Sequence, residues 1–277
     1  MMIRLRFQTV PLLLLFIALA VRAVPAAAVE GAAPLVIGET FTLPSEVLGE
    51  TRRINVYRPP GATEATPLPV LVMPDGGMAE DFLHVAGLVQ VSVGNGTMRP
   101  FLLVGIENTE RRRDMTHPTQ NEEDKKIAPR VGGSAAFRGF LRSELLPAIR
   151  ARYRTTEETA IVGESLAGLF VVETFLREPD LFDTYIAFDP SLWWNDRQLV
   201  KDAETQGLLR VSARPKVLYL ATSSQAEIAE ITRHFAGLFN PQTAPRVTLH
   251  FNPMPGETHQ TIYHPAALLA FRTVFKP

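Results

Sequence analysis

The sequence predicts an α/β fold: a mostly parallel central sheet with an antiparallel N-terminal hairpin and helices on both faces. Three observations predict it. From residue 70 onward, short apolar runs that read as buried strands alternate with stretches of helical spacing. Before them, two segments alternate apolar and polar residues on either side of Gly49-Glu50, as the strands of a hairpin do. The 277 residues are 46% hydrophobic and 21% charged, proportions of a chain that buries a core rather than of a disordered tail. The absence of Cys excludes a disulfide scaffold and a thiolate metal site. With 28 Lys+Arg against 29 Asp+Glu, the formal charge of −1 offers no electrostatic case for nucleic acid.

The first segment stands outside that pattern. Arg4 and Arg6 precede an apolar run over residues 10–21, and Ala26-Ala27-Ala28 supplies the small residues that a signal peptidase requires. The run is shorter than the ~20 residues that span a bilayer. Residues 1–28 are therefore expected to be a cleaved export signal, and residues 29–277 a single domain, periplasmic or secreted and without stable membrane insertion.

Within that domain residues 40–43 and 52–57 form the hairpin, and the run 70–73 is a buried strand closed by Pro74-Asp75-Gly76-Gly77. Residues 78–93 have helical spacing and 101–106 form a second buried strand. The polar stretch 107–133, crowded with charge and without periodicity, reads as a functional or mobile loop. Residues 134–154 carry Phe137, Phe140, Leu141, Leu145 and Ile149 on one helical face. After strand 160–162 comes a helix over 166–176 that is apolar nearly all round and so should be buried. Strand 185–188, a loop with Trp193 and Trp194, strand 216–220, helix 227–239, strand 246–251 and a helix from Pro265 complete the order.

Ligands of open α/β sheets bind beyond the carboxyl ends of the strands, so the residues following each strand carry the chemistry. Ala160-Ile161-Val162 runs into Gly163-Glu164-Ser165-Leu166-Ala167-Gly168 and then into the buried helix. Strand, tight Gly-x-Ser turn and helix make a nucleophile elbow, the mark of an α/β-hydrolase fold. Small residues at 163, 167 and 168 give the strained turn room, and Ser165 projects over the sheet beside backbone N–H groups that can stabilise an oxyanion. The bland alternative makes Ser165 only a helix N-cap.

A serine hydroxyl needs a base, and in this fold the histidine comes last in the chain. Of six histidines, His84 and His234 fall in helices, His250 in a strand and His264 before the final helix, while His117 sits in the polar loop. His259, after the last strand, is in the right place. The acid is expected after strand 216–220, where Thr222-Ser223-Ser224-Gln225-Ala226 precedes Glu227. Glu227 is the candidate, against a role as a first-turn helix acid. Gln225 could instead orient the histidine in a dyad, and Asp189 and Asp196 are outside choices. The oxyanion donors are the backbone N–H groups of Leu166 and Gly77.

Together Gly163-Glu164-Ser165-Leu166-Ala167-Gly168, the Asp75-Gly76 turn, Val104-Gly105-Ile106-Glu107-Asn108-Thr109 with the charged residues 111–114, Pro190-Ser191-Leu192-Trp193-Trp194 and Gly256-Glu257-Thr258-His259 resemble the Putative esterase family of α/β-hydrolases. That family holds enterochelin and other siderophore esterases, S-formylglutathione hydrolase (esterase D), feruloyl esterases and mycolyltransferases. The resemblance covers roughly residues 52–275. It implies a hydrolase of small-molecule esters with no metal or organic cofactor, and assigns the nucleophile, base and oxyanion roles to Ser165, His259, Gly77 and Leu166. It also implies that Trp193 and Trp194 line the substrate pocket. Ala167 departs from a strict Gly-x-Ser-x-Gly, and the stretch 222–225 lacks the acid that many relatives carry.

Export disfavours a cytosolic thioester and suits a siderophore. Arg111, with Arg112, Arg113 and Arg130, could meet an anionic catecholate, or these arginines could pair with Asp114, Glu122, Glu123 and Asp124 on a solvated loop. Aryl or carbohydrate esters are the alternatives, and the rival from another class is a non-catalytic binding protein on a hydrolase scaffold.

Overall fold

The computed structural model describes residues 31, 33–205 and 214–277, so the export segment expected at 1–28 lies outside the described residues. The chain divides into two units, Met1–Val36 and Ile37–Pro277, and every element below belongs to the second.

β1 (Glu39–Ser45) and β2 (Glu50–Tyr57) form the expected antiparallel hairpin, with Gly49 at φ +66 in its turn. β3 (Leu68–Pro74) leads through a turn to α1 (Phe82–Gly94), and β4 (Leu102–Ile106) follows. β2 pairs antiparallel with β4, which joins the hairpin to the parallel part of the sheet. α4 (Ser134–Phe140) and α5 (Leu146–Arg152) then flank a π-helical turn, Leu141–Leu145. The two short helices that precede them, α2 (Arg111–Asp114) and α3 (Glu122–Lys126), occupy the polar stretch. β5 (Thr155–Glu164), α6 (Leu166–Arg177), β6 (Thr184–Phe188), α7 (Trp194–Thr205), β7 (Lys216–Thr222), α8 (Ala226–Gly237), β8 (Val247–Pro253) and α9 (Tyr263–Val274) complete the fold. The sheet order is β1-β2-β4-β3-β5-β6-β7-β8, with β3 through β8 parallel.

Both faces of β3 to β7 are covered, which explains their continuous apolar runs, while the edge strand β8 is only partly buried. In β3, Val70 and Val72 join one core with residues of α4, α6 and α8, while Leu71 and Met73 join a second with residues of α1 and α9. β5, β6 and β7 alternate in the same way, Ile161, Tyr185 and Leu218 on one side and Val162, Ile186 and Tyr219 on the other.

Two stretches differ from the sequence expectation. Residues 107–133 are not an open loop, because they form two short helices and most of their charges are paired. Fully buried Arg52 on β2 pairs with Asp114 of α2 and, at 2.6 Å, with Glu50. Helix α7 was not anticipated. Only Leu199, Val200 and Ala203 are buried after its first residue, too narrow a stripe to register as periodicity. Its entry passes through three left-handed residues, Asn195, Asp196 and Arg197, held by the polar stretch: Asn195 N–H donates to Asp124 Oδ2 at 2.8 Å, and Asn121 donates to Asp196 at 3.0 Å.

Candidate active site

Three neighbouring strands of the sheet, β3, β5 and β6, each end in a residue with positive φ: Asp75 (58°), Ser165 (60°) and Asp189 (39°). Non-glycine residues held there cost of order 1–3 kcal/mol each and persist only where the surroundings over-determine them. At β5 the determinants are local. A Cβ on Gly163 would lie 2.7 Å from Ala167, so only glycine lets α6 double back over the strand. Ser165 N–H donates to Phe188 O at 3.0 Å and its carbonyl accepts from Ser191 N–H at 3.1 Å, which ties the elbow to β6 and the residues after it. At β3 a Cβ on Gly76 would lie 2.3 Å from Gly105 Cα, so this turn too is fixed by backbone approach.

The elbow aims Ser165 Oγ at His259, whose Nε2 lies 3.1 Å away. The other ring nitrogen, Nδ1, lies 3.0 Å from Asp189 Oδ2 and 3.3 Å from Glu164 Oε1. Asp189 is completely buried, and its second oxygen accepts the Ser223 N–H at 2.6 Å. The hydrogen bond to Asp189 holds His259 above its ordinary pKa of 6.5, opposed by burial and helped by the charge of Glu164. Burial pushes the Glu164 carboxyl up to about 8 despite the pull of His259 and Arg111. The arrangement can draw a proton from the Ser165 hydroxyl and hold the resulting imidazolium.

The acid beside His259 is thus Asp189, and the expectation of Glu227 is corrected. Glu227 is exposed in the first turn of α8 and lines a cavity of about 640 Å3 with Trp193, Asp196 and Gln225. The physical reason lies in the sheet order. β6 is the neighbour of β5, the strand that carries Ser165, so a carboxylate one residue beyond it reaches across to the imidazole, while the stretch after β7 gives this carboxylate the Ser223 backbone N–H. The signal was present in the sequence, an Asp directly at a strand end and followed by Pro190.

The other expected residues divide. Leu166 is the first residue of α6, where helical N–H groups have no partner in the helix and form the positive end of its dipole. Gly77 sits in the turn after β3 as expected, but its N–H donates to Glu80 Oε2 at 2.7 Å. Glu80 is itself held by Asn108, through Nδ2 at 2.9 Å and the backbone N–H at 3.3 Å. Trp193 is half-buried and lines the cavity shared with Glu227, whereas Trp194 is 1% exposed and donates its Nε1–H to His117 O at 2.8 Å. Trp194 is a packing residue, not a pocket wall.

Arg111 is likewise turned inward. Its Nε and Nη2 grip Asp75 at 2.7 and 2.8 Å, and Nη2 reaches Glu164 O at 3.4 Å, so it clamps the turn after β3 to the elbow. Arg113 pairs with Glu50, Glu110 and Asp114, and Arg130 with Glu110. Of the partners that the alternative reading of the sequence named, Asp114 pairs with Arg113, whereas Glu122 and Glu123 pair with Lys125 and Lys126 and Asp124 accepts from Thr119 and Asn195. Glu164, Asp189 and His259 also offer atoms within 4.8 Å of one another, a spacing a metal ion could span, but the two carboxylates converge on Nδ1 of the imidazole whose Nε2 is paired with Ser165.

An eight-stranded sheet of this order with a serine at the β5 elbow and a histidine after β8 defines an α/β-hydrolase fold. Solved structures agree: an IroE-like serine hydrolase from Shewanella oneidensis superposes with a TM-score of 0.75 at 26% identity, covering 86% of this chain and 80% of that one. The BES protein from Bacillus cereus superposes at 0.76 with 20% identity, covering 89% and 98%, a likeness of fold. The chain belongs to the Putative esterase family, whose sequence model matches residues 45–224, a span that includes Ser165 and Asp189 and ends before His259. It is 35% identical over 122 residues to the ferri-bacillibactin esterase BesA of Bacillus subtilis (strain 168), covering 42% of this chain and 40% of that protein. It is 29% identical over 192 residues to the siderophore triacetylfusarinine C esterase of Aspergillus fumigatus, covering 62% and 61%. The chain thus spans about two fifths to three fifths of the length of these two relatives.

Proposed function

We propose that this protein is an exported serine carboxylic-ester hydrolase whose substrate is a siderophore. The observation that carries the enzymatic reading is the continuous hydrogen-bonded line Ser165 Oγ, His259 Nε2, His259 Nδ1, Asp189 Oδ2, at 3.1 and 3.0 Å. Ser165 Oγ attacks the ester carbonyl as its proton passes to Nε2. The oxyanion takes the Leu166 N–H, and the Gly77 N–H once Glu80 releases it. The imidazolium then protonates the leaving alcohol, and water attacks the acyl-enzyme with His259 again as base, returning the proton to Ser165.

The siderophore assignment is supported by the named activities of the relatives, and the half-buried face of Trp193 supplies an aromatic surface for such a ligand. Among the described residues no helix is long and apolar enough to cross a membrane. Export rests on residues 1–28 and is tested by determining the N-terminus and cell fraction of the mature protein.

The activity is tested with a fluorophosphonate probe and p-nitrophenyl acetate. Labelling should disappear in Ser165→Ala, and turnover should be lost in His259→Ala. A folded protein that neither labels nor turns over would make it a binding protein on this scaffold. Competition among ferric and iron-free siderophores, aryl esters and acylated sugars then tests the substrate. A preference for aryl or sugar esters would reject the siderophore.

A further inference from the structure

Glu164 occupies the unnamed position of the elbow, between Gly163 and Ser165, yet its side chain does not point away from the site. Its Oε1 lies 3.3 Å from His259 Nδ1 and has no hydrogen-bond partner among the described residues. The side chain is 16% exposed. We propose that Glu164 is a positioning residue for the serine–histidine reaction, a second carboxyl that shares the Nδ1 side of His259 with Asp189 and sets the pH range in which the imidazole can take the Ser165 proton. The inference rests on the esterase reading and deepens it.

The reasoning is one of proton counting. Nδ1 carries a single hydrogen, and Asp189 Oδ2 accepts it. Two ionised carboxylates converging on one nitrogen repel each other, and the pair lowers its energy by keeping one of them protonated. Asp189 accepts two N–H groups, from His259 and Ser223, which stabilise its anion. Glu164 Oε1 accepts none, so the proton resides on Glu164. The other groups that face it are Arg111 of α2 and Asp75 at the end of β3, already joined to each other, and Tyr263 of α9, whose fully buried hydroxyl also lacks a partner among the described residues. None of these supplies an N–H to Oε1. When the Ser165 proton reaches Nε2, the imidazolium charge appears beside Glu164 and favours its ionisation. The proton it loses passes to water at the exposed edge. A merely structural Glu164 would fill the elbow without coupling to this proton.

The test compares the pH dependence of kcat/KM for p-nitrophenyl acetate in the wild-type protein and in Glu164→Gln, which keeps the side chain's shape. The wild type should rise in two steps, the second near pH 8 where Glu164 ionises and strengthens the base. Glu164→Gln should show one step, displaced to the acid side by about one pH unit, with a plateau above pH 8 lowered several-fold. Independently of turnover, NMR titration of 15N-histidine in Ser165→Ala should show the His259 midpoint fall when Glu164→Gln is added. Superimposable pH profiles with an unchanged midpoint would overturn the inference. If the wild type has no Ser165-dependent turnover, the esterase reading fails while the NMR titration still decides the role of Glu164. Should Glu164→Gln not fold, Glu164→Asp, which withdraws the carboxyl by one methylene, should displace the midpoint in the same direction, and an unmoved midpoint would again reject the role.

Discussion

Asp189→Asn should cost this protein most of its turnover while Glu227→Gln costs nothing, and the size of the first effect follows from the hydrogen bonds. Asp189 accepts two donors, Ser223 N–H at 2.6 Å on one oxygen and His259 Nδ1 at 3.0 Å on the other. Asparagine has one acceptor oxygen. The shorter backbone bond claims it, and the amide NH2 then faces Nδ1 as a donor. The imidazole responds by moving its hydrogen to Nε2, the tautomer that cannot take the Ser165 proton. Disabling the acid of a serine triad in this way lowers kcat by roughly 10³–10⁴-fold, about 4–5.5 kcal/mol of transition-state stabilisation. KM should change little in Asp189→Asn, because Asp189 is completely buried and acts on the ring nitrogen of His259 that faces away from Ser165. The assay is steady-state hydrolysis of p-nitrophenyl acetate beside the rate of fluorophosphonate labelling. A kcat above a tenth of the wild-type value in Asp189→Asn, or a comparable fall in Glu227→Gln, would refute the assignment of the acid.

Other outcomes follow from the same structure. Ser165→Gly abolishes activity yet relieves a non-glycine φ of 60°, so denaturant unfolding should show unchanged or higher stability, by up to about 2 kcal/mol after the glycine's entropy is counted. Asp114→Ala leaves the fully buried Arg52 guanidinium with Glu50 as its remaining carboxylate partner and should cost about 2–3 kcal/mol in the same measurement. Glu80→Gln makes a weaker acceptor for the Gly77 N–H and should raise kcat several-fold, whereas a fall would place the second oxyanion donor elsewhere. His259 is held above 6.5, so the acid limb of kcat/KM should have its midpoint above that value. The sign for stability is the same for both members of the pair: the folded protein binds protons more tightly at His259 and at Glu164 than the unfolded chain does. Their contribution is present at low pH and is lost as pH rises, for Glu164 between 4.5 and about 8. Glu164→Gln should therefore flatten the decline in unfolding free energy over that window.

Strand positions and backbone constraints are legible in the amino-acid sequence. The runs 70–73, 101–106, 160–162 and 185–188 became β3 to β6 within a few residues, because a strand covered on both faces must be continuously apolar. The Gly163-x-Ser165 turn and the late histidine were legible for a similar reason, since each depends on a local feature: a glycine that permits close approach, or a place in chain order. The π turn within 134–152 left its apolar face intact, and all five residues named for that face are buried.

The class of fold, the serine at the elbow and the histidine that reaches it were legible in the chain alone, because they follow from the period of apolar residues, from steric rules acting over a few neighbouring positions and from chain order. Tertiary structure decided which carboxylate meets His259, that Trp194 packs inward, that Arg111 braces Asp75, and that Glu164 turns toward the imidazole. Each of these is a choice among partners distant in the chain. A carboxylate one residue past β6 and another in the first turn of α8 look alike in sequence, and only the lateral order of strands puts one of them 3.0 Å from the ring.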